Sequence, residues 1–233
     1  MDHCQTPTQA FILAAGYGKR LWPLTQNTPK PLLQVGDLRL IEYHLHALAQ
    51  AGVTHVVINV SYLSEQIIDF LGDGERYHLS IDYSIEPNGP IGPGPGIAQG
   101  LRYLKNEPFF VISSDIWTNL NYSEMKIPKR SLLHCAMVDE KKHPFPGDAT
   151  LDESGQLTSD RPLRHSYAGL CIARPEMWSK DNKMQKKSFK MLLNSAISQE
   201  KASGHYHHGA WFNVGDAQTL EKLSTYLQEV GPA

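Results

Sequence analysis

Read for its apolar and polar positions, the first half of the chain alternates two patterns. Short unbroken apolar runs give way to stretches in which apolar residues recur every three or four positions. Ala10 to Ala14 is an apolar run of strand length. Leu40 to Ala51 carries Ile41, Leu45 and Leu48 at helical spacing, and Gly52 closes it. His55 to Asn59 reads as a buried strand, Ser64 to Leu71 as a helix ended by Gly72-Asp73-Gly74, and Leu79 to Ser84 as an alternating strand. Pro87 to Pro95 reads as a loop, Gly96 to Leu104 as a helix and Phe109 to Ser113 as another buried strand. Strands alternating with helices in this way predict parallel βαβ units.

The second half is less regular. Leu132 to Val138 and Tyr167 to Ile172 read as strands, and Asp152-Glu153-Ser154-Gly155 as a hairpin turn between short ones. Phe189 to Gln199 and Ala217 to Leu227 read as amphipathic helices. No repeat, low-complexity tract or long linker divides the 233 residues, so one α/β domain is expected. Its central sheet is mostly parallel and becomes mixed towards the end.

Composition removes some partners. A net charge of −2 offers no basic field for nucleic acid. The first nine residues are polar, and the apolar run after them is too short for a secretory leader or a membrane span. Cys4, Cys135 and Cys171 are scattered and odd in number, which argues against a disulfide framework or zinc cluster and suits a reducing cytoplasm. The pattern does not separate a monomer from a homodimer.

The most informative stretch follows the first strand. Gly16 and Gly18 leave no side chain where the backbone must turn, so N–H groups of Leu13, Ala14, Ala15, Gly16 and Gly18 could face an anion. Lys19, Arg20 and Lys30 are cations in the same loop, stiffened by Pro23, Pro29 and Pro31. This is a phosphate-binding design, and its expected ligand is a nucleotide. Two better-known phosphate loops are excluded: Leu21 stands where G-x-G-x-x-G needs its third glycine, and Arg20 where a Walker A loop needs Ser or Thr.

Leu13 through Leu32 instead resembles the signature of the sugar-1-phosphate nucleotidyltransferases, L-A-A-G-x-G-[ST]-R-[LM]-x-P-L-T-x-x-x-P-K-P-[LM], with Lys19 in the Ser/Thr slot. The resemblance implies a single Rossmann-like domain with a nucleotide-binding half at about 8–125 and a sugar-phosphate-binding half at about 126–230. Ser113-Ser114-Asp115 closes an apolar strand where this family carries its metal-binding aspartate, with Ser113 implied as a nucleotide contact, and Asp115-Ile116-Trp117-Thr118 is similar to the D-[IV]-W-T of N-acetylmuramate-1-phosphate uridylyltransferases. A carboxylate at that place suits Mg²⁺. Trp211-Phe212-Asn213-Val214-Gly215 resembles the second metal segment, W-x-D-[VI]-G, with Asn213 replacing the aspartate. An amide oxygen still ligates but brings no charge.

Pro90 to Ile97 falls at the family's base-recognition loop and implies contacts from Gly94 and Gly96, although Pro93 and Pro95 remove two N–H groups. Gly169 in Tyr167-Ala168-Gly169-Leu170 corresponds to the sugar-facing segment, and Arg161 and Lys190 are weaker candidates for the sugar phosphate. His205, His207 and His208 alternate as a strand would, with no Cys or carboxylate at metal spacing, and read as a solvated strand edge.

The implied reaction is nucleotidyl transfer from a nucleoside triphosphate, UTP by the nearest motifs, to a sugar 1-phosphate such as that of N-acetylmuramate, as in peptidoglycan recycling. Arg20, Lys30 and Asp115 would carry it with Mg²⁺. Mannose-1-phosphate guanylyl transfer is one alternative; a catalytically weakened sugar-nucleotide-binding protein, suggested by Asn213, is another.

Overall fold

The computed structural model describes residues 6–139, 141, 147–160, 162–178 and 186–230. The chain begins with β1 (Gln9–Leu13), a small hairpin of β2 (Gln34–Val35) and β3 (Leu38–Arg39), α1 (Leu40–Gln50), β4 (His55–Val60), α2 (Ser64–Leu71) and β5 (Ser80–Ile85). Next come α3 (Pro93–Gly100), β6 (Phe109–Ser113), β7 (Ile116–Thr118), β8 (Leu133–Asp139) and a second hairpin of β9 (Thr150–Leu151) and β10 (Leu157–Thr158). β11 (His165–Ala173), α4 (Phe189–Ser198), β12 (Ala202–Tyr206), β13 (Trp211–Asn213) and α5 (Ala217–Val230) complete it.

Seven strands form the central sheet in the order β12-β8-β11-β6-β1-β4-β5. β11 runs antiparallel to both neighbours, β6 and β8, and every other adjacent pair is parallel. This is the mixed, mostly parallel sheet expected. Alternate side chains of each central strand serve opposite faces. Ala10, Ile12, Phe110 and Ile112 pack with Ile41, Leu45 and Leu48 of α1 and Ile67 and Leu71 of α2. Phe11, Val57, Phe109 and Val111 pack with Ile97 of α3 and Leu192, Leu193 and Ala196 of α4. Both faces are covered, which is why these strands read as continuous apolar runs.

One element differs from its reading. The third helix starts at Pro93, inside the stretch read as loop, and Leu101–Tyr103 tightens into a 3-10 turn. Pro93 and Pro95 lie in the first turn, where N–H groups have no intrahelical acceptor, so two prolines cost the helix nothing there. Its first internal bond is Gly96 N–H to Gly92 O at 2.8 Å. The parallel strands aim their carboxyl ends at one edge of the sheet, and the cleft described next opens there.

Candidate functional site

A cleft of about 410 Å³ is lined by Leu13, Ala14, Ala15, Gly16, Gly18, Lys19, Arg20 and Lys30 from the opening motif, and by Ser113, Ser114 and Asp115 beyond β6. As the chain leaves β1, its first polar groups are taken. Ala14 N–H donates to Asn59 Oδ1 at 2.8 Å, and Leu13 O accepts from Ser114 N–H at 3.1 Å. The N–H groups of Ala15, Gly16, Tyr17 and Gly18 have no acceptor among the described residues, and these four can still meet an anion. The motif's anion-binding backbone is therefore shorter than its sequence suggests. Gly18 has φ +64, and the Thr25 hydroxyl closes the turn on its carbonyl at 2.8 Å.

The two main cations are held differently. Arg20 is exposed, has no ion-pair partner among the described residues, and lays its guanidinium within about 3.2 Å of where a side chain on Gly215 would stand. Lys30 is only 8% exposed, and its Nζ is 2.8 Å from Asp115 Oδ2. Two cations of one loop thus differ in burial, Arg20 standing in solvent and Lys30 turned inside. Packing of Pro29-Lys30-Pro31-Leu32 as a buried 3-10 turn turns the lysine inward.

Asp115 and Asn213 come together through a short ladder. β7 pairs antiparallel with β13, with Asn213 opposite Ile116, and Asp115 O accepts the N–H of Val214 at 2.8 Å. Asn213 Oδ1 is buried and has no hydrogen-bond partner among the described residues. A buried amide oxygen lacking a donor is hard-oxygen chemistry of the kind a divalent cation such as Mg²⁺ takes, and the ladder brings Asn213 within one residue of Asp115, although Asn213 is not among the residues that line the cleft. The residues fit that ion, with Lys30 engaging the carboxylate in the free protein.

Other residues singled out from the sequence are placed elsewhere. Gly94 does not line the cleft; a side chain there would strike the carbonyl of Lys187, so this glycine lets α3 approach the start of α4. Gly96 lies behind the lining, where a side chain would meet Glu86 Oε1 at 2.7 Å and Asn59 Nδ2 at 2.8 Å. Gly169 sits at φ +80 in a register shift of β11, and the space a side chain would fill is taken by Ile116. Its lack of a Cβ serves packing against β7 rather than an open approach for a sugar. Lys190 is exposed on α4, with Nζ 3.4 Å from Asp148 Oδ1, away from the cleft lining. Arg161 lies outside the described residues. His207 is buried and reaches the Thr118 hydroxyl at 3.1 Å, so the histidine segment is not simply a solvated edge: the chain turns inward after β12 to enter β13.

Three residues escaped the sequence reading. Asn59 and Glu86 line the cleft, both nearly fully buried. Asn59 Nδ2 donates to Glu86 Oε1 at 2.7 Å, and Ile91 N–H donates to Glu86 Oε2 at 2.8 Å. The pair ties the glycine motif to the loop before α3. Their signal was available: Asn59 ends an apolar strand, and Glu86, like Asp115, lies two residues past the end of a strand read from the sequence. The third, His44 of α1, is buried beneath β7, and burial lowers its pKa to about 4.

The nucleotidyl transferase family model matches residues 9–155, which include the glycine motif, Asn59, Glu86 and Asp115. The chain belongs to this family. N-acetylmuramate alpha-1-phosphate uridylyltransferase of Neisseria meningitidis is 37% identical over 92% of this chain and 96% of its own length. Mannose-1-phosphate guanyltransferase 2 of Candida glabrata is 30% identical over 95% of this chain and 65% of its own. Among solved structures, UDP-glucose pyrophosphorylase complexed with UDP-glucose superposes with a TM-score of 0.78 at 18% identity, covering 96% of this chain and 99% of that one. The inositol-1-phosphate CTP transferase of T. maritima gives 0.74 at 16% identity, covering 99% and 100%. These structures share the fold of this chain with little shared sequence. No helix among the described residues is long and apolar enough to cross a membrane.

Proposed function

We propose that this member of the nucleotidyl transferase family joins a nucleoside triphosphate, UTP first among candidates, to a sugar 1-phosphate of the N-acetylmuramate type. An oxygen of the sugar phosphate attacks the α-phosphorus; that P–O bond forms, the bond to the β-phosphate bridge breaks, and pyrophosphate leaves with the bond's electrons. No protein nucleophile is needed. The observation that carries the reading is one cleft lined by the glycine motif, by Arg20 and by the Lys30–Asp115 pair, with Asn213 on the strand that pairs just beyond Asp115.

Ala15 to Gly18 would hold phosphate oxygens, and Arg20 would balance charge on the β- and γ-phosphates. Lys30 would take the α-phosphate. Asp115 and Asn213 would hold Mg²⁺, which supplies charge neutralisation at the reacting phosphates when bound. Glu86, an acceptor at the cleft wall, faces the region assigned to the base. Residues from about 126 onward, those of β8, β11 and α4 among them, would form the sugar-phosphate half, with the product used in the cytoplasm.

The uridylyltransferase similarity over nearly both full lengths supports UTP and N-acetylmuramate 1-phosphate over GTP and mannose 1-phosphate. The test is pyrophosphate release with UTP, GTP, CTP, dTTP or ATP against each of the two sugar phosphates in Mg²⁺. Turnover is expected to be highest with UTP and N-acetylmuramate 1-phosphate. A GTP and mannose 1-phosphate optimum would move the protein to the guanylyl reading, and nucleotide binding without turnover to a binding protein.

A further inference from the structure

His44 lies on α1 and does not line the cleft, yet both of its ring nitrogens are committed. Nε2 is 2.8 Å from Ile116 O, and Nδ1 is 2.8 Å from the Tyr122 hydroxyl. A carbonyl oxygen can only accept, so Nε2 carries the proton. Nδ1 then holds the lone pair, and Tyr122 donates into it. Tyr122 is itself buried against Phe110 of β6, with ring centroids 5.9 Å apart. A directed chain of hydrogen bonds therefore runs from Tyr122 through His44 to Ile116, the residue after Asp115.

The backbone at Ile116 has little else to fix it. β7 and β13 are three residues each and pair only with one another among the described residues. Peptide groups alternate sides along an antiparallel strand: Asp115 O points to β13, where Val214 N–H meets it, so Ile116 O points away. On that open side, inside the protein, His44 supplies the bond. We propose that His44 is a positioning residue for nucleotidyl transfer, its Nε2–H bond to Ile116 holding the strand that presents Asp115 and, across the ladder, Asn213. This rests on the reading of those two residues as cation donors.

The test compares wild type with His44→Leu, His44→Gln and Tyr122→Phe. His44→Gln keeps an N–H for Ile116; His44→Leu removes it; Tyr122→Phe leaves the histidine without its orienting donor. Two readouts are needed: transfer kinetics against Mg²⁺ concentration, and Mn²⁺ affinity of the UTP-loaded protein by electron paramagnetic resonance. Because a displacement of about an ångström costs up to ~100-fold in rate, His44→Leu is expected to lose about 30-fold in kcat. Its half-maximal Mg²⁺ concentration and its Mn²⁺ dissociation constant are expected to rise about fivefold, a modest coupling between neighbouring groups. KM for the sugar phosphate should stay within about twofold, since the sugar-facing elements are untouched. His44→Gln should remain within about threefold of wild type, and Tyr122→Phe should shift Mn²⁺ affinity about threefold in the direction of His44→Leu.

A merely structural histidine would lower the melting temperature and leave Mn²⁺ affinity, Mg²⁺ requirement and kcat per folded molecule as in wild type; that result overturns the proposal. If His44→Leu does not fold, unchanged Mn²⁺ affinity in Tyr122→Phe overturns it equally. Wild-type protein that binds Mn²⁺ with UTP but transfers nothing refutes the transfer reading, while the Mn²⁺ comparison still judges His44. Wild-type protein that takes up no Mn²⁺ with UTP overturns both.

Discussion

At the scale of single residues, the Lys30–Asp115 contact decides most. The ammonium and the carboxylate sum to zero charge, and Asn213 adds none, so a lone divalent cation meets no net attraction there. A triphosphate competes for Lys30 and frees Asp115. Cation and nucleotide should then strengthen each other's binding by the same factor. Mn²⁺ should bind the nucleotide-free protein weakly and Lys30→Met about tenfold more tightly, the equivalent of about 1.4 kcal/mol. Equal Mn²⁺ affinity in the two proteins would count against the exchange. Asn213→Asp should lower the Mg²⁺ needed for half-maximal turnover. The same contact separates the two cations in stability. Lys30→Ala leaves a partly buried carboxylate without its partner and should cost about 1–3 kcal/mol in urea unfolding. Arg20→Ala, at an exposed site with no ion pair among the described residues, should stay within about 0.5 kcal/mol. Both should lose on the order of 100-fold in transfer, because each charge acts chiefly on the transition state.

At the scale of elements, α3 is the part that works on two sides. Its prolines fall in the one turn that tolerates them, and its glycines are sites of close approach. Gly96 leaves room for the Asn59–Glu86 bond at the cleft wall, and Gly94 leaves room for the backbone entering α4. Alanine at each should therefore fail differently. Gly96→Ala pushes on a side-chain pair and should raise KM for the nucleotide about tenfold with KM for the sugar phosphate unchanged. Gly94→Ala meets a backbone carbonyl that cannot step aside, and overpacking of this kind costs about 1–3 kcal/mol. Its kinetic constants per folded molecule should be nearly those of wild type. Thermal melts with steady-state kinetics on both variants check the division; the reverse assignment would show that α3 faces the nucleotide through Gly94.

At the scale of the whole molecule, buried histidines make stability depend on pH, and His44, like His134, is lowered to about 4 by burial. His44 is fully buried and neutral, with a pKa lowered by burial to about 4 against 6.5 in the unfolded chain. Between those values the unfolded state binds more protons than the folded one, so stability falls as pH drops from about 6.5 towards 4 and is fully present above it. From pH 7 to pH 5 this group alone should remove about 2 kcal/mol. Urea unfolding at the two pH values checks this, with His44→Gln expected to lose less by that amount. The background from other groups is common to both proteins, so parallel profiles would refute it.

The sequence alone determined the class of the sheet, mixed and mostly parallel, and where a candidate site would lie. Strands buried on both faces must be continuously apolar, helices on a sheet must repeat every three to four residues, and polar residues at strand ends mark the edge where ligands bind. Those constraints are local, so β1, α1, β4, α2, β6 and the glycine motif were legible to within a residue or two. Tertiary structure alone decided which groups are available to a ligand. Ala14 N–H is spent on Asn59, Lys30 on Asp115, and Gly94 on the approach of α4, each by a partner at least 45 positions away in the chain. Charge and hydrogen-bonding capacity are properties of a residue, but whether they are already satisfied depends on what folding brings beside it.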